Sequence, residues 1–244
     1  MITHIVSALA PCREDHLVEI GPGQGALTLP LLERCPRLDV IELDRDLIPA
    51  LQDLATQSCA LKVHQADALR FDFARLAVDN LPLRIVGNLP YNISTPLLFH
   101  LLQYAPLIQD MHFMLQKEVV ERMAALSGSR TYGRLSVMLQ YRCQITELFH
   151  IPPTAFVPPP QVESAVVRLQ PYRTLPTAAN DENLFARLVT QAFSHRRKTL
   201  RNALKGMASP EQLTTVGIDP VLRPEAVDVA AYVRLSNLVE DTWE

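Results

Sequence analysis

Short apolar runs alternate with segments of helical periodicity over the first two-thirds of the chain. The apolar runs predict buried strands at 16–20, 38–42, 61–65, 83–87 and 112–116, and the periodic segments predict helices at 26–34, 46–55, 95–103 and 117–126. Two later strands are predicted at 148–151 and 163–169, as an antiparallel pair at the end of the sheet. Strands that alternate with helices are typical of a parallel sheet covered by helices, so the predicted fold class is α/β.

The pattern changes near residues 171–181, where two prolines interrupt a stretch without clear periodicity. We therefore expect a domain boundary there, with one domain at 1–173 and a second at 174–244. The second domain is expected to be all-helical, because apolar residues recur at helical spacing from 184 to 193. The sequence S-P-E-Q at 209–212 predicts a capped helix start, and a last helix is expected at about 229–239.

The composition is that of an ordinary globular protein, with 48% hydrophobic and 20% charged residues. No apolar run approaches the roughly eighteen residues that a membrane-spanning helix needs. The cysteines are scattered, without a C-x-x-C pair or a partnering histidine, so we expect reduced thiols, no metal site and a cytoplasmic protein. No apolar stripe is left unassigned, which favours a monomer.

The distribution of charge is more informative than the net charge of −3, which argues weakly against a nucleic-acid partner. The segment 183–210 contains no Asp or Glu, although it is rich in Arg and Lys. Such a local block can neutralise phosphates even in an acidic protein. A solvated helix face with cations near its C-terminus would look the same, so the block alone leaves both interpretations open.

A glycine-rich sequence, E-I-G-P-G-Q-G, lies between the first strand and the first helix. Glycines such as Gly21 and Gly23 let the backbone turn sharply and approach a ligand closely. The third glycine follows Gly23 by two residues, so the spacing is not that of the dinucleotide motif G-x-G-x-x-G. Glu19 lies at the end of the strand, where an acidic side chain suits a cationic amino-acid ligand better than a pyrophosphate.

Two more acidic residues follow the next strands. Glu42 ends the second strand, where a carboxylate can accept ribose hydroxyls, and Asp67 follows the third strand, where it can accept an adenine amino group. Either residue alone is more often a helix cap or a surface charge, but the carboxyl ends of parallel strands converge on one crevice. The loop and its acids resemble the S-adenosylmethionine site of class I methyltransferases, and this resemblance implies a Rossmann-like sheet.

The fourth strand is followed by the sequence G-N-L-P-Y-N at 87–92. An exocyclic adenine nitrogen is a poor nucleophile, because its lone pair is delocalised into the ring. The side-chain oxygen of Asn88 and the backbone carbonyl of Leu89 can accept the amino protons and favour a localised lone pair, and Tyr91 offers a ring face for stacking. Catalysis would then rest mainly on in-line placement of the reacting atoms.

This second motif resembles that of amino-group methyltransferases, whose substrates are adenine, cytosine or glutamine. A purely structural turn containing Asn and Pro, next to a tyrosine of the core, would have the same sequence. Its position after the fourth strand, downstream of a complete cofactor pattern, favours the functional interpretation, but the motif alone does not decide the substrate.

Further segments resemble one family of these enzymes over nearly the whole chain. They are N-L-P-Y-N-I-S-T-P at 88–96, L-Q-K-E-V-V-E-R at 115–122, Y-G-R-L-S-V at 132–137, F-V-P-P-P-Q-V-E-S at 156–164, F-S-H-R-R-K-T-L-R-N-A-L at 193–204 and R-P-E at 223–225. Together they are similar to the dimethyladenosine transferases of small-subunit rRNA, the KsgA family. The related Erm family, which acts on large-subunit rRNA, is the nearest alternative, and the basic run at 196–202 favours the first.

The resemblance implies dimethylation of two adjacent adenosines in the hairpin near the 3′ end of small-subunit rRNA, within an assembling small subunit. It implies that Gly21, Glu42, Asp67 and Asn88 bind S-adenosylmethionine, and that Asn88 and Tyr91 act at the target base. Phe156 would close over the other face of a flipped adenine, although ordinary core packing is an alternative for this residue. The phosphates of the RNA would be held by basic residues of the second domain, with Lys117 and Arg134 as weaker candidates. The basic residues are Arg196, Arg197, Lys198, Arg201 and Lys205.

The chain departs from the family pattern at its start. Family members begin with a segment that contains a G-Q-[HN]-F-L motif and helps to cover the cofactor, whereas this sequence begins inside the helix expected to follow it. We therefore expect weaker cofactor binding than in a relative with that segment. A ribosome-assembly factor that lacks catalysis stays open as an alternative to the enzyme, as does the Erm-like activity.

Overall fold

A computed structural model describes residues 1–78, 81–90, 93–156, 159–195 and 197–240. Its central feature is a seven-stranded sheet in the order β3-β2-β1-β4-β5-β7-β6. The strands are β1 (His16–Ile20), β2 (Leu38–Glu42), β3 (Leu61–Gln65), β4 (Leu83–Asn88), β5 (Ile108–Gln116), β6 (Cys143–Ile151) and β7 (Ser164–Pro171). The first five strands pair in parallel, and β7 runs antiparallel to β5.

The helices are α1 (Ile2–Leu9), α2 (Thr28–Leu32), α3 (Ile48–Gln57), α4 (Ser94–Leu102), α5 (Lys117–Ala124), α6 (Arg134–Arg142), α7 (Glu182–Ser194), α8 (Leu200–Ala203), α9 (Pro210–Thr215) and α10 (Val229–Glu240). Short 3-10 turns occur at Phe73–Arg75, Ala105–Leu107, Pro153–Ala155 and Pro224–Ala226. No helix in the described part of the chain is long and apolar enough to span a membrane.

The parallel strands β1 to β4 confirm the positions expected from the apolar runs, and the Ser209 side chain caps α9 together with Gln212 as predicted. Helix α2 is shorter than the helix predicted at 26–34, because the chain up to Leu27 is still part of the glycine-rich turn. Helix α6 was not predicted. Besides Ser136, its buried residues are Leu135, Val137, Leu139 and Tyr141, and these apolar residues are spaced by two, which is the spacing of a strand.

Two compact units divide the chain. One comprises 1–120 and 144–171, and the other comprises 121–143 and 172–244. Residues 121–143 were expected in the first domain, whereas here Tyr132, Val137 and Tyr141 belong to the hydrophobic core of the second unit. These large side chains pack with Phe185 and other buried residues of the C-terminal helices, and Tyr141 and Phe185 are in ring contact at 4.6 Å between centroids. The second unit is therefore helical, and it is built from two separate segments.

The strand order reverses between β1 and β4, which are neighbours although two strands separate them in the chain. In open α/β sheets, ligands bind outside the carboxyl ends of the strands at such a reversal. The register pairs Ile20 with Gly87, so the loops after β1 and after β4 start side by side. This point of the first unit is where the site is built.

Candidate active site

Gly21 and Asn88 lie next to each other where β1 and β4 end. The chain turns at Gly21 with a φ of +66°, a conformation that a side chain disfavours. A Cβ atom on Gly21 would lie 4.0 Å from the backbone oxygen of Asn88. The structure thus brings together Gly21 of the predicted cofactor loop and Asn88 of the predicted target-base motif.

The glycine-rich loop is held open by backbone conformations with positive φ. Gly23 has a φ of +57°, and a Cβ atom there would meet nothing within 4 Å. Gly25, with a φ of +82°, packs close to the side chain of Leu54, 3.3 Å from where a Cβ atom would lie. The lack of a side chain at Gly25 therefore lets the loop pack against Leu54, while the space beside Gly23 is open to a ligand.

Glu42 organises this loop from the end of β2. Its carboxylate accepts hydrogen bonds from the backbone N–H groups of Gly23 (3.2 Å), Leu43 (2.8 Å) and Asp44 (2.9 Å). A carboxylate has about four lone-pair positions, so the oxygen bonded to Gly23 keeps capacity for a further donor. The position agrees with a ribose-binding role, but the side chain also has a structural role that the sequence did not indicate.

Glu19 is buried beneath the loop at 2% exposure, and its Oε2 accepts a hydrogen bond of 2.6 Å from the Thr28 hydroxyl. Burial raises the pKa of Glu19 to about 7, while the hydrogen bond from Thr28 lowers this pKa and the nearby charge of Glu42 raises it. Thr28, at the start of α2, contacts a predicted site residue and was not itself expected there from the sequence. The feature of the sequence that could have indicated Thr28 is a hydroxyl side chain directly after the glycine-rich turn, at the first position of α2.

Asp67 follows β3 and is partly exposed. Its Oδ1 accepts the backbone N–H of Leu69 at 2.9 Å, and its Oδ2 lies 3.9 Å from the Nε of the exposed Arg70 side chain. The preceding residue, Ala66, donates its N–H to the backbone oxygen of Glu42 at 2.9 Å. Oδ2 is therefore available to accept an amino group at the same edge of the sheet as Glu42.

Asn88 is exposed at the end of β4, while the Leu89 side chain is buried at 1% exposure. The N–H of Leu89 donates to the backbone oxygen of Met114 on β5 at 3.3 Å, which fixes the peptide between Asn88 and Leu89. Gly87 was not predicted as a site residue. A Cβ atom there would lie 2.6 Å from the backbone oxygen of Ile20, so only glycine allows β1 and β4 to approach as they do.

Phe156 follows the 3-10 turn Pro153–Ala155, and its N–H donates to the backbone oxygen of Pro153 at 3.2 Å. Its side chain is partly buried against the hydrophobic cluster that contains Val86 and Met114. The ring is therefore seated on the core through one part of its surface. Tyr91, the other predicted aromatic residue, lies outside the described residues.

The predicted RNA-binding residues lie in the second unit. Arg197, Lys198, Arg201 and Lys205 are exposed, and Arg196 lies outside the described residues. Arg201 and Lys205 line an open depression of about 620 Å³ together with residues that lead into α9. These side chains present positive charge to solvent, as a phosphate-binding surface requires.

The residues at the sheet edge fit S-adenosylmethionine chemically. The space beside Gly23 admits a close approach to the backbone, and the carboxylates of Glu42 and Asp67 suit hydroxyl and amino donors. Glu19, whose pKa is raised to about 7 by burial, can carry negative charge when a cationic ligand favours its ionised form. No group of three or more His, Cys, Asp or Glu residues that could hold a metal ion occurs in the described ranges.

Comparison with known proteins places the chain among rRNA adenine methyltransferases. Residues 1–241 match the family described as ribosomal RNA adenine dimethylase. The chain is 55% identical to ribosomal RNA small subunit methyltransferase A of Pseudomonas syringae over 241 residues, which cover 99% of this chain and 90% of that protein. It is also 55% identical to the protein of that name from Pseudomonas aeruginosa, over 97% of this chain and 88% of the relative.

Two solved structures have the same fold. A dimethyladenosine transferase from Plasmodium falciparum matches with a TM-score of 0.81 and 25% identity, over 96% of this chain and 93% of that one. The 23S rRNA methyltransferase ErmE matches with a TM-score of 0.76 and 21% identity, over 98% and 96% of the two chains, and this similarity concerns the fold alone. The full-length family match and the identity of more than half establish that the chain belongs to the ribosomal RNA adenine dimethylase family of S-adenosylmethionine-dependent methyltransferases.

Proposed function

We propose that this enzyme transfers methyl groups from S-adenosylmethionine to N6 of two adjacent adenosines in the 3′-terminal hairpin of small-subunit rRNA, two to each. The structural observation that best supports the proposal is that Gly21 and Asn88 lie next to each other. A loop suited to the cofactor and a motif suited to an amino group thus meet at one point of the sheet. The identity with small subunit methyltransferases supports the choice of RNA.

We propose that the cofactor lies along the ends of β1, β2 and β3. Gly21 and Gly23 would approach it with their backbones, Glu42 would accept a ribose hydroxyl and Asp67 the adenine amino group. The buried Glu19 carboxylate would be drawn to its ionised form by a cationic ligand, since an opposite charge nearby lowers the pKa of an acid. When bound, S-adenosylmethionine supplies an electrophilic methyl group.

Asn88 and Leu89 would act on the nucleophile. The Asn88 side-chain oxygen and the Leu89 carbonyl would each accept a hydrogen bond from the target N6 amino group, which localises the nitrogen lone pair toward the methyl carbon. The hydrogen bond from the Leu89 N–H to the backbone oxygen of Met114 holds the peptide between Asn88 and Leu89, next to both acceptors, before the substrate arrives. The new nitrogen–carbon bond forms as the carbon–sulfur bond breaks, and the displaced N6 proton can pass to water. No strong base is needed, because the alkylated amine is acidic.

Phe156 and Tyr91 would hold the flipped adenine by stacking, and Asn88 would also contact the cofactor. A base inside a helix cannot present its amino group in line with the methyl group, so extrusion is required. The partial burial of Phe156 against the core leaves an anchored ring, which positions a base better than a freely rotating side chain.

The basic surface of the second unit would hold RNA phosphates through Arg196, Arg197, Lys198, Arg201 and Lys205. Phosphate contacts set the register of the RNA, while shape and the extruded bases provide specificity. We further propose that the substrate is an assembling small ribosomal subunit in the cytoplasm and that the enzyme acts as a monomer.

The substitution Asn88→Ala tests catalysis against a purely binding role. An enzyme should lose methylation of unmethylated small subunits while its affinity for the subunits persists. A binding factor without catalysis would behave the same before and after the substitution. Methylation of large-subunit RNA by the unsubstituted protein would instead favour the Erm-like activity.

A further inference from the structure

We infer that the ion pair between Lys117 and Glu163 positions the segment that carries Phe156 relative to the strands that carry Asn88. Lys117 is then a positioning residue for the target adenine and not an RNA contact. The inference rests on the proposed function, in which Phe156 and Asn88 hold the same base.

The pair lies where β5 and β7 meet at the edge of the site. The antiparallel register ends with Gln116 opposite Ser164, and one residue farther the N–H of Lys117 donates to the backbone oxygen of Glu163 at 3.0 Å. At this same step the Nζ of Lys117 donates to Oε2 of Glu163 at 2.8 Å. The two residues are therefore joined through both backbone and side chains.

This junction is close in register to the target-base motif. Asn88 is paired with Met114 on β5, and the N–H of Leu89 is bonded to the same Met114. Lys117 lies only three positions farther along β5 and the start of α5. A constraint on Lys117 is thus a constraint on the strand that supports Asn88.

Glu163 ends the connection that contains Phe156. The connection begins at Ile151, which is buried, and its first turn is closed by the N–H of Ala155 on Pro152 and the N–H of Phe156 on Pro153. Pro159 and Pro160 lie between Phe156 and Glu163, and their rings fix the φ angle at these two positions. Because the backbone is restricted there, fixing the end of the connection at Glu163 limits where Phe156 can lie.

The pair is poorly suited to a role in stability. The side chains of Lys117 and Glu163 are 33% and 53% exposed, and exposed ion pairs contribute little to folding. The hydrogen bond and charge of Lys117 lower the pKa of Glu163, so its carboxylate is ionised at neutral pH, and His150 adds a weaker effect of the same sign. The ion pair is therefore formed at neutral pH, and we expect it to affect the position of the segment that carries Phe156 and not the stability of the protein.

The experiment compares Lys117→Met, Glu163→Gln and a charge-swapped double variant, Lys117→Glu with Glu163→Lys. Glu147→Gln is the matched control, because it removes another carboxylate of the same unit, one that pairs with His150. Methylation kinetics on small subunits, RNA affinity as a function of salt, and the melting temperature are measured for each. We expect both single variants to lower kcat by about three- to tenfold with KM and melting temperature nearly unchanged, since small misplacements slow chemistry. The double variant should recover most of the loss.

Two outcomes would overturn the inference. If Lys117→Met alone is defective and the dependence of RNA affinity on salt becomes shallower, Lys117 binds a phosphate directly. If neither single variant differs from Glu147→Gln, the pair has no role in positioning. Phe156→Ala separates these results from a failure of the proposed function. If Phe156→Ala stays fully active, the proposed role of Phe156 is wrong and the inference is wrong with it. If Phe156→Ala loses activity while the Lys117 and Glu163 variants keep theirs, only the inference is wrong.

Discussion

The N–H of Gly23 donates to Oε2 of Glu42 at 3.2 Å, and this bond ties the glycine-rich loop after β1 to the end of β2. The other oxygen of the same carboxylate accepts the N–H groups of Leu43 and Asp44. Glu42 is therefore both the expected ribose acceptor and the part that shapes the loop. A residue with two such roles should be sensitive even to an isosteric change.

Glu42→Gln is predicted to weaken cofactor binding by at least about tenfold. An amide replaces one acceptor oxygen with a donor, which would face backbone N–H groups and lose a charge-assisted hydrogen bond. Isothermal titration with S-adenosylmethionine measures the affinity. The neighbouring exposed residue Asp44 supplies the control, since Asp44→Asn should bind nearly normally. Equal affinities for the two variants would mean that Glu42 does not contact the cofactor.

Glu19→Gln is predicted to change how stability depends on pH. The pKa of Glu19 is raised from 4.5 to about 7 in the folded protein, so the folded state binds this proton more tightly than the unfolded state. The unsubstituted protein therefore loses stability as the pH rises from about 4.5 through about 7. Glu19→Gln avoids this loss and should be more stable at pH 8 by roughly 1–3 kcal/mol, with the difference shrinking toward pH 4.

Urea unfolding of both proteins at several pH values in the absence of cofactor measures this difference. Glu33→Gln, which changes an exposed carboxylate after α2, is the control. It keeps Glu19, so its stability should fall with rising pH in the same way as that of the unsubstituted protein. A difference between Glu19→Gln and the unsubstituted protein that stays constant from pH 4 to 8 would contradict the assignment.

Gly87→Ala is predicted to destabilise the protein by about 1–3 kcal/mol and to lower methylation. The added Cβ atom would lie 2.6 Å from the backbone oxygen of Ile20, so β1 and β4 must separate at the point where Gly21 and Asn88 meet. Gly133→Ala is a matched control, because a Cβ atom there meets nothing within 4 Å. The melting temperature and the methylation activity are measured for both variants. Equal values for the two would show that this close approach of β1 and β4 is not required.

Arg201→Ala and Lys205→Ala are each predicted to weaken RNA binding across sequences and to reduce the slope of log affinity against log salt by about 0.7 to 0.9. Both residues line the same depression, so their phosphate contacts are expected to be neighbours. Filter binding to small-subunit RNA at several salt concentrations measures the slope. Arg34→Ala, a change of an exposed arginine in the first unit, is the control. An unchanged slope for both variants would place the RNA elsewhere.

The sequence was most informative where local chemistry and strand order act together. Glu42 and Asn88 could be placed at one edge of the sheet because residues at the carboxyl ends of parallel strands converge, whatever their distance along the chain. Thr28 and Gly87 were missed because their roles depend on a partner, Glu19 and Ile20 respectively, whose distance only the packed sheet defines. Helix α6 was missed for a different reason, since its buried apolar residues Leu135, Val137, Leu139 and Tyr141 have the spacing of a strand.

The most direct test is methyl transfer from labelled S-adenosylmethionine to unmethylated small ribosomal subunits, followed by digestion of the RNA to nucleosides. We expect N6,N6-dimethyladenosine as the labelled product, none of it on naked large-subunit RNA, and none from Asn88→Ala. Label in large-subunit RNA, or no labelled adenosine from a protein that binds both cofactor and subunit, would contradict this expectation.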